Sequence, residues 1–167
     1  MNEVTNQSWP VANLDPVQRL RALTAALPGA AVAEQIIPAP LDDVWAVAGD
    51  IERAAPRSEW HVRSLRIVRR DGERIEALVT GLAGVQDRFF GVLRPGWCWM
   101  QGRVLYIGMA AVADPGGTRF VLAAGLRLPG AQIVRPIIKW SITRSLRRIA
   151  ERVETMPPAS REHVVTK

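Results

Sequence analysis

Apolar residues recur at helical spacing near the end of the chain, whereas they alternate with polar residues through its middle. The segment 131–154 predicts one long amphipathic helix, because its apolar residues lie three or four positions apart. Pro136 fits this helix only if it lies in the first turn. The apolar face comprises Val134, Ile138, Ile142, Leu146, Ile149 and Val153, with Ile133 and Ile137 adding to it.

The region from His61 onward predicts six antiparallel strands. Short turn signals such as Asp71-Gly72 and Pro95-Gly96 separate segments rich in β-branched and aromatic residues. Turns of this length favour hairpins, so we expect a meander. The predicted strands are 61–70, 73–82, 85–94, 97–108, 109–114 and 118–128.

The region before the meander predicts a further strand and three short helices. Asp15 is suited to cap a helix with Pro16 at its first position, in a segment that ends at Pro28-Gly29. We expect this helix to belong to an N-terminal extension, 1–30, whose first twelve residues are unanchored. The next elements are a strand at 31–40, a short helix at 41–51 and a helical piece at 52–60 that is broken at Pro56.

Length and composition indicate one globular domain. The chain has 167 residues, of which 48% are hydrophobic. Its longest uncharged stretches, such as 104–113, are shorter than the ~20 residues that a spanning helix needs. The first residues lack the pattern of a secretory signal, and a single cysteine cannot form an internal disulfide. We therefore expect a cytoplasmic protein without a transmembrane segment.

The formal net charge of +6 arises mostly from arginine. Basic residues gather between Lys139 and Arg152, where the solvated face of the predicted helix accounts for them. We therefore expect no nucleic-acid partner. The sequence leaves open a weak contact of this basic helix with a membrane surface or another protein, and it does not distinguish a monomer from a homodimer.

Four pieces of the sequence together resemble the SRPBCC (START-like) superfamily, especially its bacterial polyketide cyclase/dehydrase-type members. These are "PAPLDDVW" after a strand, "IERAAPRSEW", the hairpin "GGTRF" and the long terminal helix. The resemblance implies an α+β helix-grip fold, in which a curved antiparallel sheet of six to seven strands surrounds the C-terminal helix. The START-like domain would span 31–155, followed by a flexible tail at 156–167.

The same resemblance implies a cavity for a hydrophobic small molecule, such as a lipid or a polyketide, between the sheet and the helix. Fold alone does not determine function. The alternatives are a cofactor-free enzyme similar to polyketide cyclases and aromatases, and an interaction or membrane-surface module that uses the basic helix. Whether the protein is an enzyme stays open.

Few residues of the sequence point to catalysis. Cys98 lacks a neighbouring base to activate it, so we expect a buried, inert thiol. Two histidines, His61 and His163, are too few for a metal site of the usual composition, and no glycine-rich phosphate loop is present; we expect neither a metal nor a cofactor. No catalytic residue is assigned. The residues that could exchange protons with a ligand are Gln101, Arg103, Tyr106, Arg127, Glu59 and His61.

Aromatic residues fall on the elements that border the cavity in a helix-grip fold, so some of them are expected to line it. In the fourth predicted strand, period-two alternation sets Trp97, Trp99, Gln101 and Arg103 on one face and Cys98 and Met100 on the other. Either face can be the inner one, and we expect Trp99 and Arg103 to face inwards. The predicted ligand-binding residues are Trp45, Trp60, Phe90, Trp99, Arg103, Tyr106, Met109, Leu126, Ile133 and Ile137.

Overall fold

The long amphipathic segment forms a 20-residue helix that packs against one face of a curved antiparallel sheet in the computed structural model. The structure describes residues 13–156. Its helices are α1 (Pro16–Ala25), α2 (Leu41–Ala48), α3 (Ile51–Ser58) and α4 (Arg135–Glu154), with 3-10 turns at Leu82–Gly84 and Ala131–Val134. Within this part of the chain, no helix has the length and apolarity that crossing a membrane demands.

The seven strands follow the predicted meander. They are β1 (Ala31–Ile37), β2 (Val62–Asp71), β3 (Arg74–Gly81), β4 (Gln86–Arg94), β5 (Trp97–Gln101), β6 (Leu105–Asp114) and β7 (Gly117–Leu126). Strands β2 to β7 pair in chain order, and β1 pairs with β7, so β1 and β2 form the two edges of the sheet. The predicted α+β helix-grip fold is confirmed.

Helices pack on both faces of the sheet, and α1 covers the part of the outer face formed by β6, β7 and β1. The inner face packs on α4, α2 and α3, and its core includes Phe89, Met100, Phe120 and Leu146. The outer face packs on α1, whose Leu20 is fully buried. A smaller core lies there, formed by Val17, Leu20, Trp97, Ala110, Val121 and Ala123.

The first helix begins as its sequence predicts. The Asp15 carboxylate accepts a hydrogen bond from the Gln18 amide, and the Gln18 side chain accepts one from the Asp15 amide, which completes a capping box. Pro16 occupies the first turn of α1, and Pro136 occupies the first turn of α4, as expected. Each proline therefore lies where its missing amide leaves no helical hydrogen bond unmade.

Two predicted boundaries were wrong. The segment 97–108 is not one strand: the chain turns at 102–104, and a single strand then runs from Leu105 to Asp114. The Gly102 amide donates to the Leu105 carbonyl and closes this turn. The second error concerns α3, which continues through Pro56 to Ser58 instead of breaking there. The expected unanchored segment 1–12 and residues 157–167 of the expected tail lie outside the described residues.

Side chains satisfy backbone groups at both edges of the sheet. Along β1, the Arg135 guanidinium donates to the Ala30 carbonyl and the Lys139 ammonium donates to the Val32 carbonyl. Along β2, the Glu52 carboxylate accepts a hydrogen bond of 2.8 Å from the Ile67 amide, next to one of two interruptions in the β2 register. Charged side chains therefore occupy positions where another strand would pair.

Candidate functional site

A cavity of about 350 Å³ lies between the inner face of the sheet, α3 and α4. Its walls are mostly apolar, and most of the side chains that form them come from α3 and from the inner positions of β2, β3, β4 and β6. This volume and lining are typical of small-molecule sites. The lining residues are Ala48, Ile51, Ala54, Ala55, Ser58, Glu59, His61, Val62, Leu65, Val79, Gly81, Leu82, Val85, Asp87, Phe89, Met100, Leu105, Ile107, Met109, Leu122 and Ile149.

A second cavity of about 170 Å³ adjoins the first, nearer the start of α4. Glu59, His61, Leu105, Ile107 and Leu122 line both cavities, so the two are immediate neighbours. The remaining walls of the second cavity are Trp60, Ala123, Ala124, Ile137, Ile138, Ser141 and Ile142.

Polar groups are concentrated where α3 leads into β2. Ser58 is 4% exposed, and its hydroxyl has no hydrogen-bond partner among the described residues. Glu59 Oε2 lies 3.8 Å from His61 Nδ1 and 3.5 Å from the Ser141 hydroxyl, at the junction of the two cavities. A largely apolar space thus has one polar end, where a carboxylate and an imidazole are available to a ligand.

Three of the predicted ligand-binding residues reach this space. Met109 lines the first cavity, and Trp60 and Ile137 line the second. Trp60 is 57% exposed and Ile137 is 64% exposed, so both lie at the rim. The structure also brings together Glu59 and His61, the two proton-exchange candidates that line both cavities.

The expectation that Trp99 and Arg103 face inwards was wrong. Cys98 and Met100 belong to the inner core, whereas Trp99 packs into the outer one beneath α1. Tyr106 is buried on the outer side, where its ring stacks on Trp99. Arg103 is exposed in the turn after β5. The physical reason is that α1 supplies an apolar cover for the outer face, so the tryptophans can be buried there.

The other predicted ligand-binding residues also lie outside the cavities. Phe90 is exposed on the outer face of β4, and Trp45 packs beside the inner core without lining either space. Leu126 is half-buried at the end of β7, and Ile133 is 80% exposed. Two other proton-exchange candidates, Gln101 and Arg127, are exposed.

The lone thiol is buried, as expected. Cys98 has no exposed surface, and burial raises the pKa of its thiol to about 12 because a desolvated thiolate is costly. Cys98 is therefore protonated at neutral pH and belongs to the packing of the inner core.

Sequence reasoning missed most of the cavity wall, and α3 carried a usable signal. Ile51, Ala54, Ala55 and Ser58 follow the spacing i, i+3, i+4 and i+7, which puts them on one helix face. All four line the first cavity. On β6, the alternation of Leu105, Ile107 and Met109 marks the inner face, but only once the turn at 102–104 is known.

Comparisons with solved structures show that proteins of START-like type share this fold. A protein from Thermus thermophilus has 23% identity and a TM-score of 0.56, over 75% of this chain and 97% of that chain. The Zhui aromatase/cyclase from a Streptomyces species has 14% identity and a TM-score of 0.59, over 75% and 93%. A START superfamily protein from Mycobacterium smegmatis has 15% identity and a TM-score of 0.56, over 77% and 99%.

No model of a protein family matches the sequence, and a comparison with curated proteins gave no match. At these identities the likeness concerns the fold alone. The chain has the SRPBCC/START-like fold, with its cavity between the sheet and the C-terminal helix.

Proposed function

We propose that this START-like domain binds a hydrophobic small molecule in the space formed by the two cavities. The observation that carries the proposal is the apolar space of about 350 Å³ between the sheet and α4. A space of this size can enclose a lipid chain or a polycyclic molecule, and burying apolar ligand surface there is favourable. Residues 31–155 form the proposed ligand-binding domain, with α1 as a cover for its outer face.

The polar end of the cavity indicates the chemical class of the proposed ligand. A ligand with an apolar body and one hydroxyl, carbonyl or carboxylic acid group would place that group near Ser58 and the pair of Glu59 and His61. The position of Glu59 and His61 supports this assignment, because both residues line both cavities and a polar ligand group there would keep its hydrogen bonds.

Native mass spectrometry of the protein purified from its own host tests the proposal, followed by extraction of the bound compound. We expect a compound of this class. Titration with a panel of fatty acids and aromatic polyketides should raise the unfolding midpoint for those that bind. Recovery of no small molecule, together with no thermal shift across the panel, would overturn the proposal.

Two substitutions locate the site. Ile107→Trp fills the junction of the two cavities and should lower affinity at least about tenfold, while a tryptophan at Val68 on the exposed β2 edge should leave it unchanged.

A second candidate function is acid–base catalysis on the bound molecule, as in cyclisation with loss of water. The observation that favours it is the position of Glu59 beside His61, because a carboxylate can orient an imidazole that exchanges protons with a ligand. The His61→Ala variant distinguishes the two. A binding protein would yield the same compound with and without His61, whereas an enzyme lacking His61 would retain a precursor heavier by one water.

A further inference from the structure

Exposed apolar side chains are concentrated at the end of the molecule where the cavities open. Such clusters on a monomer mark interaction surfaces, because scattered single apolar residues are the usual pattern. We call this set the apolar rim: Trp60, Leu82, Val85, Val104, Leu128, Ile133, Ile137 and Trp140.

The fold brings these residues to one end from separate parts of the chain. Leu82 and Val85 line the first cavity beside the 3-10 turn, and Trp60 lines the second. Val104 lies in the turn between β5 and β6, next to the cavity residue Leu105. A hydrogen bond of 2.7 Å from the Arg127 amide to the Val104 carbonyl brings the segment after β7 beside that turn.

One side of α4 continues the apolar rim. Ile137 and Trp140 are 64% and 56% exposed and lie three residues apart, on one side of α4. Ile133, which is 80% exposed, lies in the 3-10 turn that leads into α4. The Arg144 guanidinium lies over the Trp140 ring, 5.6 Å from its centroid. The apolar side chains thus run from the rim of the second cavity along α4 and end in a cation.

Cations accompany the apolar rim and lack carboxylate partners. The exposed basic residues of this end are Arg103, Arg127, Arg135, Lys139 and Arg144. Among residues 13–156, the ion pairs involve other basic residues. The two carboxylates of this end are already engaged: Glu59 with His61 and Ser141, and Asp87 with the amides of Arg88 and Arg103.

We propose that this end of the molecule docks onto an anionic lipid bilayer. The apolar rim would enter the boundary between headgroups and acyl chains, and the exposed cations, above all Arg103 and Arg127, would meet the negative headgroups. The rim comes from several loops and one helix side, and a deformable bilayer accommodates such a surface without the shape complementarity that a protein partner needs. The docking proposal does not rest on the proposed ligand-binding function.

The test measures co-sedimentation of the full chain with vesicles. We expect binding to vesicles of equal parts phosphatidylcholine and phosphatidylserine, weakened by salt, and much weaker binding to pure phosphatidylcholine vesicles. The double variant Ile133→Ser, Trp140→Ser should bind at least about tenfold more weakly. Neither residue lines a cavity, so this loss is separable from a loss of ligand binding.

Matched variants control for charge and for apolar surface elsewhere. Arg103→Gln with Arg127→Gln should lower binding about 25-fold, since each cation near an anionic surface contributes about fivefold. Arg69→Gln with Arg70→Gln removes the same charge from the β2–β3 hairpin and should change binding less than about twofold. Phe90→Ser, on the outer face, should have no effect. Equal losses from the two arginine pairs, or no vesicle binding by the wild-type chain, would overturn the proposal.

Discussion

Trp99 and Tyr106 stack on the outer face of the sheet, with ring centroids 5.5 Å apart and planes inclined by 24°. Both rings come from strands that neighbour each other in the sheet, β5 and β6. Tyr106 is 2% exposed, and Trp99 packs against the core that contains Leu20 of α1. The pair therefore lies on the opposite side from the cavity, where Trp99 helps to fix the N-terminal helix to the sheet.

We predict that Trp99→Ala destabilises the protein by about 3 kcal/mol and leaves the cavity intact. The reason is that the indole fills space between the sheet and α1 and lines neither cavity. Urea denaturation measures the loss, and the fluorescence of anilinonaphthalene sulfonate bound to the folded variant reports on the cavity. A variant that keeps its stability but loses the probe would contradict this assignment.

Removal of the Tyr106 hydroxyl should stabilise the protein. The hydroxyl is buried without a hydrogen-bond partner among the described residues, so Tyr106→Phe removes a desolvated polar group and should stabilise the fold by about 1 kcal/mol. Thermal unfolding of the two proteins under the same conditions measures the difference. A clear loss of stability would mean that the hydroxyl makes a bond that matters.

Gly125 lies directly under that tyrosine. A Cβ at position 125 would stand 2.1 Å from the Tyr106 hydroxyl oxygen, so we expect Gly125→Ala to destabilise the protein by about 1–3 kcal/mol. Shortening the neighbour relieves the overlap. The double variant Gly125→Ala, Tyr106→Leu should therefore lose less free energy of unfolding than the two single variants lose together. If the two losses simply add, the contact is refuted.

High pH should destabilise the fold through the buried thiol. The folded-state pKa of Cys98 is raised to about 12 from 9.0, so the folded state holds this proton more tightly than the unfolded state. The contribution of the protonated Cys98 thiol to the free energy of unfolding is complete below pH 9.0 and is lost as the pH rises through about 12. Urea denaturation across this range should show a fall in stability that Cys98→Ala reduces. The component from Tyr106, whose pKa burial also raises, should remain in that variant.

Low pH should destabilise the fold by protonating two carboxylates on the outer face, those of Glu34 and Asp114. Hydrogen bonds from Arg21 and Arg119 lower the pKa of Glu34, and the Gly116 amide and Arg119 lower that of Asp114. Lowered folded-state values give stability that is present above the ordinary pKa values of 4.5 and 3.8 and is lost as the pH falls. Arg119→Met should therefore lose less stability on acidification than the wild type. Arg69→Met, which changes no such pair, should follow the wild type in thermal unfolding.

The elements could be predicted from local patterns, whereas the inner face of β5 could not. Helical spacing, the cap at Asp15, the first-turn position of Pro136 and the turn signals depend on a few adjacent residues, so they can be recognised in the sequence. Alternation puts Trp99 and Met100 on opposite faces of β5, but it does not tell which face is the inner one. Since α1 covers the outer face and α4 the inner one, both faces of β5 are buried, and apolar residues are favoured on each.

The site depends on distant contacts even more strongly. Ser58, Glu59 and His61 adjoin in sequence, but what makes them part of a site is the cavity formed by β6 and α4, which are contributed by much later residues. Ile137 shows the same limit: its spacing fits the apolar face of α4, but it is 64% exposed at the rim of the second cavity.

The bonds from Lys139 and Arg135 to β1, and from Glu52 to β2, have a consequence for self-association. A sheet that is not closed into a barrel offers two rows of backbone groups on which another chain can build fibrils. Here a charged side chain already occupies part of each row. Copies of the protein are thereby discouraged from joining strand to strand, and losing Glu52 or Lys139 would expose a template for aggregation even where the folded core is unchanged.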